Sequence, residues 1–196
     1  MNTKFILAAL AASAFAPATA GAQALTPAVV AVVDLQKITS ECNACKTAAT
    51  ALRGQVTAYQ NREKALAGPL ETEAKSIQAA VDALGGKAPD AALQARAKAF
   101  QTKQQNAQQE LARQQEQLQR NQAYIRQQIV TKLGPIYQQV MTRRGANIMV
   151  EQGATLAASN SVDVTNDVLA ALNTAMPTLA TTAPAQTQQQ QQPQGR

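Results

Sequence analysis

Gly85-Gly86-Lys87-Ala88-Pro89-Asp90 decides the fold, because it parts two heptad-spaced runs of similar length. A glycine pair followed by Pro-Asp is strong turn chemistry. Before it, Leu52, Val56, Tyr59, Glu63, Leu66, Leu70, Glu73, Ile77, Ala80 and Leu84 step alternately by four and three, and eight of these ten are apolar. After it, Leu93, Ala97, Phe100, Gln104, Ala107, Leu111, Gln114, Leu118, Asn121 and Ile125 keep the same alternation. Such spacing lays one stripe along a helix face. Two striped arms around one tight turn predict an antiparallel helical hairpin. At about 1.5 Å per residue, arms of about forty residues reach ~60 Å.

Two features qualify the rods. Gly68-Pro69 lies inside the first arm, and an interior proline removes a hydrogen bond, so one bent helix or two in line are expected. The second seam holds Gln104, Gln114 and Asn121. Polar seam residues weaken a coiled coil while fixing its register. They read either as a loose, solvated rod or as an arm that must bend and splay.

Outward from the hairpin, the pattern changes on both sides. Val29-Val30-Ala31-Val32-Val33 is a β-branched run ending at Asp34 and predicts a short strand. Helical periodicity starts near Thr39 or Ser40 as N-cap, with Glu41 at the positive helix start. On the far side, Gly134-Pro135 predicts a break before a short helix from Ile136 to Met141. Asn147–Glu151 and Thr155–Ala158 flank Gln152-Gly153 and predict a hairpin of strands. Thr165 is the expected cap of a last helix, Asn166 to Asn173. Pro177 ends the expected ordered part, and the Thr, Ala, Pro and Gln tail that follows reads as disordered.

The fold class is therefore mainly α, a long antiparallel helical hairpin inserted in a small β-containing head. The expected division is a signal peptide at 1–24, the head at 25–45 and 134–177, the arm at 46–133, and the tail at 178–196. A head of about sixty residues is near the lower end of what folds alone. Its short strands leave edges that need pairing. Val30, Val32, Ile148, Val150 and Leu156 are the residues expected to join copies.

The first residues point to export. Lys4 precedes an apolar run from Phe5 to Phe15, and Ala18-Thr19-Ala20, Ala20-Gly21-Ala22 and Ala22-Gln23-Ala24 follow at A-x-A spacing. That is the pattern of a cleaved secretory signal; a membrane span needs roughly 20 apolar residues. Beyond it the aromatics are Tyr59, Phe100, Tyr124 and Tyr137, with no Trp and no His. Such a composition suits an elongated helical object better than a globule with a large core.

Charge is concentrated on the hairpin. Lys46 to Arg144 carries fifteen basic and seven acidic residues, against three and five elsewhere. The arms are lopsided: Lys46 to Leu84 nets +1, whereas Ala91 to Lys132, with seven basic and two acidic residues, nets +5. A charge run is commonly a solvated face. A field of one sign also draws in acidic partners. The candidate binding residues are Lys75, Lys87, Arg96, Lys98 and Lys103 toward the tip, with Arg113, Arg120 and Arg126 along the second arm. Export argues against nucleic acid as the partner of this basic rod.

Cys42-Asn43-Ala44-Cys45 is the one obvious chemical motif. No Trp precedes it and no Pro lies between the thiols, unlike a thioredoxin-type redox site. Lys46 follows where haem attachment needs His, and a zinc site needs about four ligands where two Cys and no His are present. No cofactor or metal is expected, and no enzyme. In an oxidising compartment the pair reads as a local disulfide stiffening the arm's root, with free thiols as the alternative.

Taken together, these segments resemble the Skp/OmpH family of periplasmic chaperones. Val29 to Asp34 leading into a helix carries part of the likeness, as does Ile148 to Glu151 through Ala154 to Ala157. The most specific part is Val162-Asp163-Val164-Thr165-Asn166-Asp167-Val168-Leu169-Ala170-Ala171-Leu172-Asn173. The resemblance implies a periplasmic homotrimer whose heads form a β-barrel body and whose three coiled-coil tentacles enclose a cavity. It implies an ATP-independent holdase that keeps unfolded outer-membrane β-barrel proteins soluble. Contact with an anionic membrane surface or lipopolysaccharide is carried as a further partner. This chain departs from the family in its Cys pair, its Gln-rich second arm and its Gln tail. The rival class is a structural coiled-coil adaptor of an envelope complex, although such adaptors usually carry larger β domains. A lipid-surface helix is disfavoured by the polar seam, and a redox enzyme by the surroundings of the Cys pair.

Overall fold

The computed structural model describes residues 26–185. The expected signal at 1–24 and the last residues of the Gln tail lie outside the described residues. The elements in order are β1 (Val30–Val33), α1 (Leu35–Glu41), α2 (Asn43–Asp82), α3 (Ala91–Arg144), β2 (Ile148–Glu151) and α4 (Thr165–Ala175). Mainly helical, with a long hairpin inserted in a small β-containing head, the chain has the expected fold class.

α2 and α3 form the hairpin, of 40 and 54 residues. Gly85 and Gly86 turn it at φ 56° and 90°, a left-handed conformation that costs glycine little. Asp90 then caps α3 by accepting the Leu93 N–H at 2.8 Å. The antiparallel register shows in the cross-arm contacts, which run Gln55–Asn121, Arg62–Glu110, Glu73–Lys103 and Ser76–Arg96 from root to tip. Of the twenty seam positions, only Glu63 and Gln104 are fully exposed. The heptad reading therefore identifies the facing sides of both arms.

α2 is one helix, one of its two expected forms, and only the break expected in α3 needs correction. α2 runs through Pro69, and α3 runs through Gly134-Pro135 to Arg144 without the predicted break. The second case has a clear cause. Leu133, Ile136 and Val140 lie on one helix face and are almost wholly buried in the head core, and that packing holds the helix across the missing N–H. Gly145, at φ 67°, ends α3, with the Ala146 N–H bonded to the Met141 carbonyl at 2.9 Å.

In the head, β1 and β2 pair in parallel, Val30 facing Ile148 and Val33 facing Glu151. A parallel pair requires a crossover, and the whole hairpin is that crossover. Asn147 fixes the register: its Oδ1 accepts the Val29 N–H and its Nδ2 donates to the Pro27 carbonyl, both at 2.7 Å. The expected strand hairpin after β2 is not formed. Gln152–Ala154 is a 3-10 turn and Thr155–Ala158 pairs with no strand; β2 pairs instead with the distant β1. The third element at the sheet is a single bridge, Val32 to Asp163.

Helix starts also differ from expectation. Asp34, not Thr39 or Ser40, caps α1 by accepting the Lys37 N–H at 2.8 Å. Thr165 does not cap α4; it is the first residue of that helix, and Asp163 Oδ1 accepts its N–H at 2.8 Å. The Thr165 hydroxyl, 1 % exposed, instead accepts the Asp34 N–H at 2.9 Å. This tie joins the two ends of the folded chain. Around it Ile38, Val140, Val168 and Leu172 are wholly buried, with Val33, Leu133, Ile136 and Met176 packed beside them. Each such side chain contributes about 1.5–3 kcal/mol by leaving water.

Candidate functional site

The eight cations singled out from the sequence divide by their surroundings. Lys75 is paired with Glu71 and Lys103 with Glu73, both at 2.7 Å. Arg96 donates to Ser76 Oγ at 2.7 Å and so ties the arms near the tip. Lys87, Lys98, Arg113 and Arg126 are exposed and make no ion pair among the described residues. Arg120 is partly buried and donates from Nη2 to Gln117 Oε1. These residues therefore do not converge on one point; they spread along the arm as a field. Further down, Arg62 and Glu110 make a two-point ion pair at 2.6 and 3.0 Å. That bond, with the cationic charge of Arg62 and Arg113, holds the Glu110 carboxyl below its usual range.

At the arm's root Cys42 and Cys45 are joined as a disulfide, their Cα atoms 5.1 Å apart. Cys42 stands between α1 and α2 in a non-helical conformation and caps α2, its sulfur accepting the Cys45 N–H at 3.2 Å. Both sulfur-bearing residues are buried in the head core. Among the residues expected to join copies, Val30 and Ile148 face each other across the sheet and are 39 % and 44 % exposed. Leu156 is fully exposed, Val150 is partly buried, and Val32 is buried within the protomer. Burial of the phenol, and behind it the charge of Glu151, raise the Tyr137 pKa above the ordinary value.

One feature is missing from the sequence reading. Thr178–Ala185 does not leave the fold at Pro177; it runs along the groove between α2 and α3, held by side-chain amides. Gln128 accepts the Ala180 N–H at 3.1 Å and donates to the Ala180 carbonyl at 2.9 Å. Gln55 donates to the Thr181 carbonyl at 3.2 Å, and Asn121 accepts the Ala183 N–H at 2.8 Å. The segment expected to be disordered is thus bound as far as Ala183. A signal for this exists in the sequence: Gln117, Asn121 and Gln128 are four and seven apart, a polar stripe on the side of α3 that should have been apolar.

Among the described residues, cations and amides are spread along a long hairpin rooted in a small head. The family described as outer membrane protein, OmpH-like, matches residues 29–172, and the chain belongs to this family. The crystal structure of a protein assigned as an OmpH-like outer membrane chaperone from Caulobacter crescentus CB15 has the same fold. It superposes with a TM-score of 0.67 at 19 % identity, covering 83 % of this chain and 95 % of that one. A comparison with curated proteins finds no match. Among the described residues no helix is long and apolar enough to cross a membrane.

Proposed function

We propose that the protein is an ATP-independent holdase that binds unfolded outer-membrane β-barrel proteins in the periplasm. The observation that supports it best is the lopsided hairpin: exposed Lys87, Lys98, Arg113 and Arg126 project along an arm whose second helix carries the charge excess. A positive field speeds encounter with acidic clients, and many weak contacts then hold them without a strong single site. In this reading residues 1–24 are a cleaved export signal, and 25–45 with 134–177 form the oligomerisation head for the 46–133 arm. The exposed pair Val30 and Ile148, with Leu156, joins three copies. Cys42–Cys45 stiffens the root, and an anionic membrane surface or lipopolysaccharide is a second ligand of the basic arm.

The test is dilution of a urea-unfolded β-barrel outer-membrane protein into buffer without nucleotide, with aggregation followed by light scattering. The protein is expected to suppress aggregation. Reversing charge at Arg96, Lys98 and Lys103 should weaken suppression at low salt far more than at high salt. Suppression by neither form would remove the holdase reading and leave the coiled-coil adaptor.

A further inference from the structure

We propose that the α2–α3 groove at Gln55, Gln117, Asn121 and Gln128 is a binding site for extended polypeptide main chain. Its present occupant, Thr178–Ala185, is then an internal competitor for that site. The inference rests on the holdase reading only for the identity of the outside ligand, an unfolded polypeptide segment with small side chains.

The bound segment pairs with no strand and bends at Thr182, yet its burial alternates as an extended chain's does. Leu179, Thr181 and Ala183 are partly buried while Ala180 and Thr182 between them are exposed, the period-2 alternation of an extended chain. Every hydrogen bond to it from the arms goes to its backbone. Besides the contacts of Gln128, Gln55 and Asn121, Gln117 donates to the Ala183 carbonyl at 3.4 Å. No side chain of the segment bonds to the arms among the described residues. A primary amide presents one acceptor and two donor hydrogens, so Gln128 closes on both the N–H and the carbonyl of Ala180 as a neighbouring strand would. Recognition of this kind is β-augmentation, with side chains of two helices replacing the sheet edge. It reads chain geometry and side-chain size, not sequence.

The amides are held ready for this task. Asn121 is 3 % exposed, and its Nδ2 donates to Gln55 Oε1 across the seam at 2.8 Å. Gln117 Nε2 donates to Asn121 Oδ1 at 2.7 Å. Arg120 takes the Gln117 carbonyl oxygen, which leaves the Gln117 NH2 facing the groove; Arg120 is a positioning residue here. The segment is anchored at the head, where Leu179 packs against the core, and runs outward along the arm. The groove continues past Thr182 as an open cleft of about 480 Å³ bordered by Tyr59, Arg62, Gln114 and Leu118. A longer extended chain therefore has room along the same line.

Two full-length variants separate a binding site from a structural strap. Ala180→Pro with Ala183→Pro removes the two N–H groups that Gln128 and Asn121 accept and leaves the groove intact. Asn121→Leu with Gln128→Leu removes two of the groove's four amides, the two that accept the segment's N–H groups. The probe is a fluorescein-labelled peptide of residues 178–185, Thr-Leu-Ala-Thr-Thr-Ala-Pro-Ala, read by anisotropy, with helicity checked by circular dichroism. The first variant should bind the peptide at least about tenfold more tightly than the wild-type chain, because a tethered competitor acts at ~mM effective concentration. The second should not bind it. Equal peptide binding by wild type and the first variant, or undiminished binding by the second, overturns the proposal. The unfolded β-barrel protein is the second arm: the first variant should hold it more tightly, with the peptide competing. Peptide binding without any capture of that protein by either form removes the holdase reading and leaves the groove standing.

Discussion

The head and the hairpin are stabilised in different ways, although α3 belongs to both. In the head, Ile38, Val140, Val168 and Leu172 are wholly out of water and the one buried hydroxyl, Thr165, is bonded. Along the arms most of the seam is only partly buried, Ala107 and Asn121 excepted, and exposed ion pairs such as Arg62–Glu110 bridge the two helices. Buried aliphatic packing is worth kilocalories per residue, whereas exposed ion pairs contribute little because solvent screens them. The difference teaches that the fold is decided at the root, and that the arms can open, bend and exchange partners while the head stays intact. Under the proposed holdase function, that division would let the arms adapt to clients of many shapes.

The largest expected effect breaks the contrast at its strong end. Leu172→Ala should destabilise the head by about 2–5 kcal/mol, read as a lowered urea midpoint by circular dichroism. Leu66→Ala, at a partly buried seam position, should cost clearly less. Equal losses would mean that the arm is packed as firmly as the head. A smaller effect lies at the joint between the two regions. Cys42→Ser with Cys45→Ser opens a four-residue loop, for which the entropic expectation is about 2 kcal/mol. The disulfide sits in the head core, so the midpoint should fall while aggregation suppression by the folded variant is unchanged. Loss of suppression in a still-folded variant would give the thiols a role in binding.

How far the sequence foretells these regions follows from the range of the interactions involved. The arm is legible because a stripe at heptad spacing reports directly which face is covered, and Gly85-Gly86 can hardly be anything but a turn. The head is only half legible. Val30–Val33 and Ile148–Glu151 read as strands, but their pairing spans the entire hairpin, and no local pattern near Thr155 shows that β2 is already satisfied. Pro135 reads as a break because the packing that overrides it comes from α1 and α4. The groove is least legible. Asn121 binds Ala183 from 62 positions away and Gln55 from 66, so its seam position reads as a register device and the tail as plain low complexity. Each half of that contact is polar and unremarkable until the fold brings them together.

The smallest expected effect sharpens the comparison at its weak end and uses pH. The Glu110 carboxyl lies below its usual value of 4.5, first because it accepts two hydrogen bonds from Arg62 and then through nearby positive charge. A depressed acid stabilises the folded arm fully above its unfolded value. That contribution disappears as pH falls through the lowered folded value, so the closed hairpin should loosen in acid below the ordinary glutamate value. Asp163 in the head is depressed as well, through its bonds to Thr165, so acid alone cannot tell the regions apart. Glu110→Gln can. It removes the ion pair at every pH, leaves the head's core untouched, and should raise hydrogen exchange around Arg62 and Glu110 at pH 7 without moving the urea midpoint of the head. As pH falls through that lowered value, the wild-type arm should converge on the exchange rate of the variant, which itself changes less with pH. A midpoint that falls with Glu110→Gln would show that arm and head unfold as one unit, and the division between a fixed root and a compliant hairpin would then be wrong.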